Sequence, residues 1–481
     1  MCSLCIARIP NPCHLILCVQ CHKHSPTKLT LKNEYFSHVH TYIYMFLTLL
    51  LANLFQSKPS FRLQIRSFFL LYSLMYNSIL HRKILSDVKI ILKFFLPLLC
   101  FGIILKLMKN VRQTNINIHR DSWVEINLEN ISHNMRAIRK NTPKGIKLLA
   151  VVKADAYGHG SVMIAPTLLA SGADMLGVAS IDEGVDLRQA KINCEILVLG
   201  AVPVWAVETA VKSDITIAIF SKEHLEACKQ AYERTGIKPK VHVKLDTGMN
   251  RIGVSVDNAV EFIKEVRNAD YLDFRGVFTH LANAEIRKKT QIQIDRWNKV
   301  ISQIDTDGLL LHILNTAGAM CYDVPNSNMR RAGIGIYGLY PDLPTDGEVH
   351  KPELKPVLSL KARIVNIHEA KDGEGVSYGH TFTAHGTRKI ATVPLGYADG
   401  VPRGLSNKIN GILNGKEVPQ IGNITMDQMM FDITGVDTQL GDVITLLDET
   451  HSIDKWANIL GTINYELTCR LKVRLPRVYT R

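Results

Sequence analysis

From Trp123 onward, short apolar or β-branched runs alternate with stretches whose apolar positions recur at helical spacing. Trp123–Asn127 alternates as a strand, and Leu128, Ile131, Met135 and Ile138 then share one face of a helix reaching about Lys140. Strand-like runs follow at Lys147–Lys153, Met175–Val178, Ile196–Leu199, Ile215–Ile219, Lys240–Leu245, Leu272–Phe278, Leu309–Leu314 and Gly333–Tyr337. Most are separated by amphipathic segments, such as 221–234 with Ser221 as its N-cap, and 288–303. Eight strands alternating with helices predict an α/β fold, a (β/α)8 barrel over residues 119–350.

Beyond Tyr340 the texture changes. Pro341, Pro344, Pro352 and Pro356 punctuate the chain, and short strand-like runs separated by Gly, Asn and Asp turns take over. They lie at Val357–His368, Lys389–Pro394, Ile409–Leu413, Gln428–Ile433 and Val443–Leu447, with one helical stretch near Ser452–Leu460. A second, mainly β domain is expected over 351–481.

Charge separates a third region. Residues 1–118 carry 14 Lys/Arg against two acids, net +12, so the rest of the chain holds 43 basic against 42 acidic residues, net +1. The globular part therefore has no electrostatic footprint for nucleic acid. The apolar runs Tyr42–Phe55 and Phe68–Leu80 fall short of the roughly 20 residues a spanning helix needs. Ile90–Leu107 is long enough but is broken by Lys93, Pro97 and Lys106, so a membrane role is not expected. Cys18-Val-Gln-Cys21-His22 has haem-attachment spacing, and with Cys2-x-x-Cys5 could make a four-cysteine zinc site, but the segment shows no fold to support either. The expectation is an extension outside the enzyme core, with a start placed too far upstream. Cys194, Cys228, Cys321 and Cys469 are scattered without pairing or metal spacing, which suits a reducing, cytoplasmic compartment.

A barrel makes a checkable claim about chemistry, because active sites of this fold lie at the C-terminal ends of the strands. Lys153 and Tyr157 follow the first strand, Arg251 the fifth, His280 the sixth, and Asn315 with Thr316 the seventh. A lysine ending a buried strand has a lowered pKa and suits nucleophilic or Schiff-base chemistry; the plainer alternative is a lysine that snorkels at a strand end. Gly333-Ile-Gly-Ile-Tyr-Gly338 formally matches GxGxxG but lies in the last apolar run instead of opening a helix after a first strand. Its glycines are expected to let backbone amides approach an anion.

The motifs AVVKADAYGHG, KLDTGMNRIGV, FTHLANAE, RAGIGIYG, VSYG, GYADG, ITMDQMM and GTINYEL occur in that order. Together, over about Trp123 to Arg481, they resemble the alanine racemase family, whose members depend on pyridoxal 5'-phosphate. The resemblance implies a barrel plus β domain paired head to tail in a homodimer with shared active sites. It implies Lys153 as the Schiff-base lysine and Tyr378, from the partner subunit, as the opposing base. Racemisation takes the α-proton from one face and returns one to the other, so two acid–base groups must flank Cα. A phenol serves as base only where a cation favours its phenolate, and Arg251 is placed for that and for the substrate carboxylate. Arg331 matches the arginine set against the pyridine nitrogen. A guanidinium keeps its proton, so that nitrogen accepts a hydrogen bond, and the cofactor becomes a weaker electron sink. His280 matches the partner of that arginine, and Lys244 a lysine carbamylated in many members, where it steadies the arginine matching Arg251. Tyr157, Asn315, Thr316, Gly333 and Ile334 match cofactor-binding positions, and Met426 a partner-subunit position near the substrate. Tyr397 and Asp427 take supporting places.

Three departures stand out. Val473 replaces a phosphate-contacting tyrosine, Thr316 a serine, and Asn423 an access-corridor arginine of some members. They bear on cofactor affinity and substrate access, and leave the reaction class standing. The function implied is interconversion of L- and D-alanine, supplying D-alanine for peptidoglycan. Two alternatives share the barrel: a membrane-anchored serine racemase, and a non-catalytic pyridoxal-phosphate-binding protein, which would lack both the β domain and the second base.

Overall fold

A computed structural model describes residues 120–481. The charged and cysteine-rich features expected of residues 1–118 lie outside the described residues.

The barrel is built from eight parallel strands. They are β2 (Lys147–Val151), β3 (Met175–Val178), β4 (Glu195–Val198), β5 (Thr216–Ile219), β6 (Lys240–Asp246), β7 (Asp273–Phe278), β8 (Leu310–His312) and β9 (Met329–Ala332). The ladder runs β9-β2-β3-β4-β5-β6-β7-β8. Between β8 and β9 closure is partial: Arg331 N–H donates to Leu314 O (3.0 Å), and the Asn328 side chain accepts from Leu311 N–H (2.7 Å). Short, nearly continuous apolar runs suit strands covered on both faces, and β3 and β5 are buried at every residue.

Helices cover the outside. The first, α1 (Leu128–Lys140), is capped by the Asn127 side chain, which accepts from Asn130 N–H, and it buries Ile131, Met135 and Ile138 as the spacing predicts. The helix Lys222–Thr235 begins at Ser221, as expected, and ends at Gly236 in the left-handed conformation.

Two expectations are corrected. The eighth strand is Met329–Ala332, whereas Gly333–Tyr337 contains a 3-10 turn, Ile334–Tyr337. Arg330 and Arg331 hid the strand, because a polar pair in a short run reads as surface, yet both are buried. The second concerns β1 (Ser122–Asn127), expected within the barrel domain. It belongs to the other sheet, pairing antiparallel with β10 (Leu358–Arg363) and parallel with the last strand, Arg477–Thr480. Val124 and Ile126, both fully buried, point into that sheet's core.

That second sheet has nine strands, including the expected Val443–Leu447. The apolar run Val357–His368 divides between two of them, β10 and Asn366–Ala370. Lys416–Ile421 was not legible, since Pro419 and three polar residues break its pattern.

Candidate active site

The chain leaves β2 through a turn with inverted hand. Ala154, Asp155 and Ala156 have φ 52, 51 and 55° with ψ near +50°, and Tyr157 follows at φ 54°. For L-residues each such step costs about 1–2 kcal/mol, so the surroundings must hold the turn in place. They do so from several sides. Asp155 Oδ1 accepts from Ser161 N–H (2.8 Å), and the His159 ring lies with Nδ1 3.0 and 3.1 Å from the carbonyls of Ala156 and Tyr157. From the last strand, Arg477 Nε donates to Gly158 O (3.2 Å) and Tyr479 Oη to His159 O (3.1 Å). Gly160, at φ 89°, is required by that approach: a Cβ there would sit 1.8 Å from Tyr479 Oη.

The turn delivers Lys153 and Tyr157 to a cavity of about 400 Å³ at the C-terminal ends of the strands. Lys244, Arg251, His280, Asn315, Thr316, Arg331, Gly333 and Ile334 line the same cavity. Ten residues singled out along 182 positions of sequence thus meet on one rim. Tyr465 also lines it, from the helix Asn464–Arg470. The sequence reading missed Tyr465 as a site residue; its only signal was its place inside GTINYEL.

Electrostatics in the cavity are dominated by cations. Burial and then the Arg251 charge lower the Lys153 pKa. Lys244 is almost fully buried, and burial followed by the Arg331 charge brings its ammonium down to about 7. Its Nζ donates to Leu245 O at 3.0 Å. The loop bearing Arg251 is organised by Asp246, whose Oδ1 accepts from Gly248, Met249 and Asn250 N–H at 2.9, 2.9 and 3.0 Å. Burial would raise this carboxyl, but the three amides outweigh it and its pKa falls.

Arg331 is the most heavily bonded side chain of the group. Nη1 donates to His312 Nδ1 (2.9 Å) and O (3.0 Å), while Nη2 donates to Thr279 O (2.8 Å), Ile313 O (2.9 Å) and, more distantly, His280 Nδ1 (3.3 Å). Burial lowers its pKa to about 9, which leaves it cationic at neutral pH. The resemblance pointed to His280 as its partner; His312 is the closer one. A histidine at the end of β8, read as part of an apolar strand, carried no separate signal.

Thr316 Oγ1 accepts from Gly333 N–H (2.8 Å), and Asn315 Oδ1 accepts from Gly318 N–H (2.8 Å), capping the short helix that carries Thr316. A Cβ on Gly333 would lie 3.2 Å from Tyr157 Oη and 3.4 Å from Thr316 Oγ1, so glycine keeps the space between the two hydroxyls open. The adjoining 3-10 turn starts at Ile334 and begins with amides that have no acceptor inside the turn. Hydroxyls and free amides around one space make an anion cradle.

Unlike Tyr465, the β-domain residues expected at the site do not line this cavity within one chain. Tyr378 is 75% exposed, on a turn set by Ser377 at φ 66°. Asn423 holds that turn: its Nδ2 donates to Tyr378 O (2.6 Å), and Ser377 Oγ donates to Asn423 O (2.7 Å). Met426 is 53% exposed and Tyr397 41%, and the two segments touch through Tyr397 N–H to Thr425 O and Ala398 N–H to Met426 O. Asp427 pairs with Arg474 (2.8 Å), which also binds the fully buried Asp399 (2.7 Å); Arg120 completes the cluster on Asp399 at 2.6 Å. Val473 is almost wholly exposed.

The chain resembles known proteins over nearly the whole described region. The family profile "Alanine racemase, N-terminal domain" matches residues 126–341, and "Alanine racemase, C-terminal domain" matches 357–479. "Alanine racemase 2" of Oceanobacillus iheyensis is 40% identical over 376 residues, covering 76% of this chain and 94% of that one. The solved alanine racemase of Clostridium difficile 630 is 38% identical with a TM-score of 0.71, covering 76% of this chain and 97% of its own. A histidine racemase from Leuconostoc mesenteroides subsp. sake shares the fold at 30% identity, with a TM-score of 0.70 over 76% of this chain and 99% of that one. With both family domains matched in order, and a curated relative aligned over nearly its whole length, the chain belongs to the alanine racemase family.

Proposed function

We propose that the barrel cavity binds pyridoxal 5'-phosphate and that two copies of the chain together interconvert L- and D-alanine, the isomerase reaction of the family. One observation carries this: ten expected site residues line one cavity, while the expected opposing base, Tyr378, stands exposed outside it. A cavity with one of its two bases missing is completed by a second copy. A non-catalytic role gains no support, since the C-terminal family domain is present. No helix among the described residues is long and apolar enough to cross a membrane, and the apolar runs that invite a membrane-anchored serine racemase lie outside those residues.

The residues fit the cofactor. Arg331 has every Nη placed on protein acceptors, whereas its Nε has no hydrogen-bond partner among the described residues and remains to donate to a ring nitrogen. Tyr157, Thr316, Gly333 and Ile334 surround a space of phosphate character, with Asn315 fixing the helix start that presents Thr316. Bound there, pyridoxal phosphate would hold the amino acid covalently and take up the electron pair left when the α-proton departs.

Lys153 then serves one face of Cα. A lowered pKa brings its unprotonated amine within easier reach, able to accept the proton and return it. Tyr378 of a second copy serves the opposite face, with Met426 beside the substrate and Tyr397 and Asp427 supporting that segment. Arg251 holds the substrate carboxylate. Lys244 is suited to carbamylation: an amine brought to about 7 attacks CO2 through nitrogen, loses one proton, and becomes an anion between cations. That anion would steady Arg251. Cys194, Cys228, Cys321 and Cys469, free of disulfides among the described residues, accord with a cytoplasmic setting, where D-alanine would feed peptidoglycan.

Borohydride reduction of the full chain with pyridoxal phosphate, followed by peptide mapping, tests the assignment. Label is expected on Lys153; label on another lysine overturns it. D-alanine should form faster than D-serine, and a serine preference would remove alanine as the substrate.

A further inference from the structure

The helix Ile181–Gln189 follows β3, and Ser180 caps it with its Oγ accepting from Glu183 N–H (3.4 Å). In a capping box the acid at Glu183 would turn back to the amide of Ser180. It does not. Oε2 instead accepts from Ala179 N–H (2.7 Å), and Oε1 reaches the neighbouring strand's exit to accept from Ala154 N–H (2.7 Å). Ala154 directly follows Lys153 and is the first residue of the left-handed turn, where a backbone amide has no acceptor within the turn itself. Lys153 and Ala179 both line the cavity.

One carboxylate therefore ties together the C-terminal ends of two adjacent barrel strands at the peptide bond through which the lysine leaves its strand. Bonds from an ionised carboxylate to backbone amides are short and directional. Holding the 153–154 peptide plane fixes ψ of Lys153, and with it the direction in which the Cα–Cβ bond sets out across the cavity. The Glu183 charge also acts on the Lys153 amine in the sense that opposes burial and Arg251.

We infer that Glu183 is a positioning residue for Lys153, acting through the Ala154 amide to hold the lysine at its working angle. This rests on the reading of Lys153 as one of the two bases. Glu183 carried no signal in the sequence beyond a helix-start acid, and its role is visible only in the pairing of two strand ends.

The test uses full-length Glu183→Gln and Glu183→Asp with pyridoxal phosphate present. The glutamine keeps the shape but turns a donor toward one of the two amides; the aspartate keeps the charge but is too short to bridge both. Displacing a reacting group by an ångström costs on the order of 100-fold, so kcat in both directions is expected to fall by about 10- to 100-fold with KM little changed. Hydrogen exchange over residues 150–160, measured with and without pyridoxal phosphate, should quicken while the rest of the barrel stays protected. Unchanged kcat in both variants, or faster exchange spread evenly over the barrel, would overturn the positioning role. Failure of the underlying reading looks different: in the unsubstituted chain, borohydride would then label a residue other than Lys153.

Discussion

Arg331 donates through Nη1 to Nδ1 of His312 at 2.9 Å, and this one bond sets the protons of two buried histidines. A guanidinium has no acceptor, so Nδ1 of His312 must accept and its proton sits on Nε2. That proton points to Nδ1 of His242, 2.9 Å away, which places the His242 proton on its own Nε2. His242 Nε2 is buried with no partner among the described residues. The row ends there, and both rings are held neutral chiefly by burial.

Replacing His312 by phenylalanine tests how much this row steadies Arg331. The ring would keep its stacking on Phe278, whose centroid lies 4.7 Å away, but would lose the acceptor. A hydrogen bond to a charged group is worth roughly 1.5–3 kcal/mol, so pyridoxal phosphate should bind about 10- to 100-fold more weakly. Titration followed by the absorbance of bound cofactor measures it.

Tyr378→Phe separates the two faces of the substrate. The turn is held by backbone and Asn423 contacts, not by the hydroxyl, so the variant should fold normally. Loss of a general acid–base group costs about 10²–10⁴ in rate. Exchange of the α-proton with solvent should persist for one enantiomer and fall for the other. Equal losses from both would remove Tyr378 from its assigned face.

The ion pair of Arg120, just ahead of β1, gives a truncation experiment its resolution. Arg120 binds the fully buried Asp399, which has Arg474 as its other cation. Deleting residues 1–118 keeps Arg120; deleting 1–122 removes it and leaves the buried carboxylate with Arg474 as its one cation beside the Gly396 amide. The shorter chain should be less stable by about 1–3 kcal/mol, read as an earlier urea midpoint, while the longer stays soluble and active. Loss of activity on removing 1–118 alone would show that the extension is needed.

Acid should weaken the fold through its buried histidines. His159 is brought down to about 4 and His242 to about 3, both by burial, from an ordinary value of 6.5. Between those values and 6.5 the unfolded chain binds the proton and the folded chain does not. Stability is therefore whole above about 6.5 and falls with falling pH, at up to ~1.4 kcal/mol per pH unit for each histidine. Urea unfolding at about pH 7 and about pH 5 should show the drop, and His242→Phe should flatten it.

Much of the site was legible because barrel chemistry sits where strands end, and strand ends can be read from where apolar runs stop. Lys153, Arg251, His280 and Thr316 were found in that way. Tyr465 and Glu183 were not, since a tyrosine in a helix and an acid at a helix start look the same whatever they touch in the fold. Asn423, noted only as a departure near substrate access, turns out to hold the backbone of Tyr378.

By itself the sequence determined the alternation of strands and helices, the order of motifs and the residue types at the barrel rim. These follow from local periodicity and from where apolar runs end. The tertiary structure alone decided that β1 and the last strand close the second sheet, that the eighth barrel strand carries Arg331 inward, and that a left-handed turn presents Lys153. Each of these depends on partners more than a hundred residues away in the chain. Periodicity records which faces are apolar, but not which distant strand, carbonyl or carboxylate will meet them.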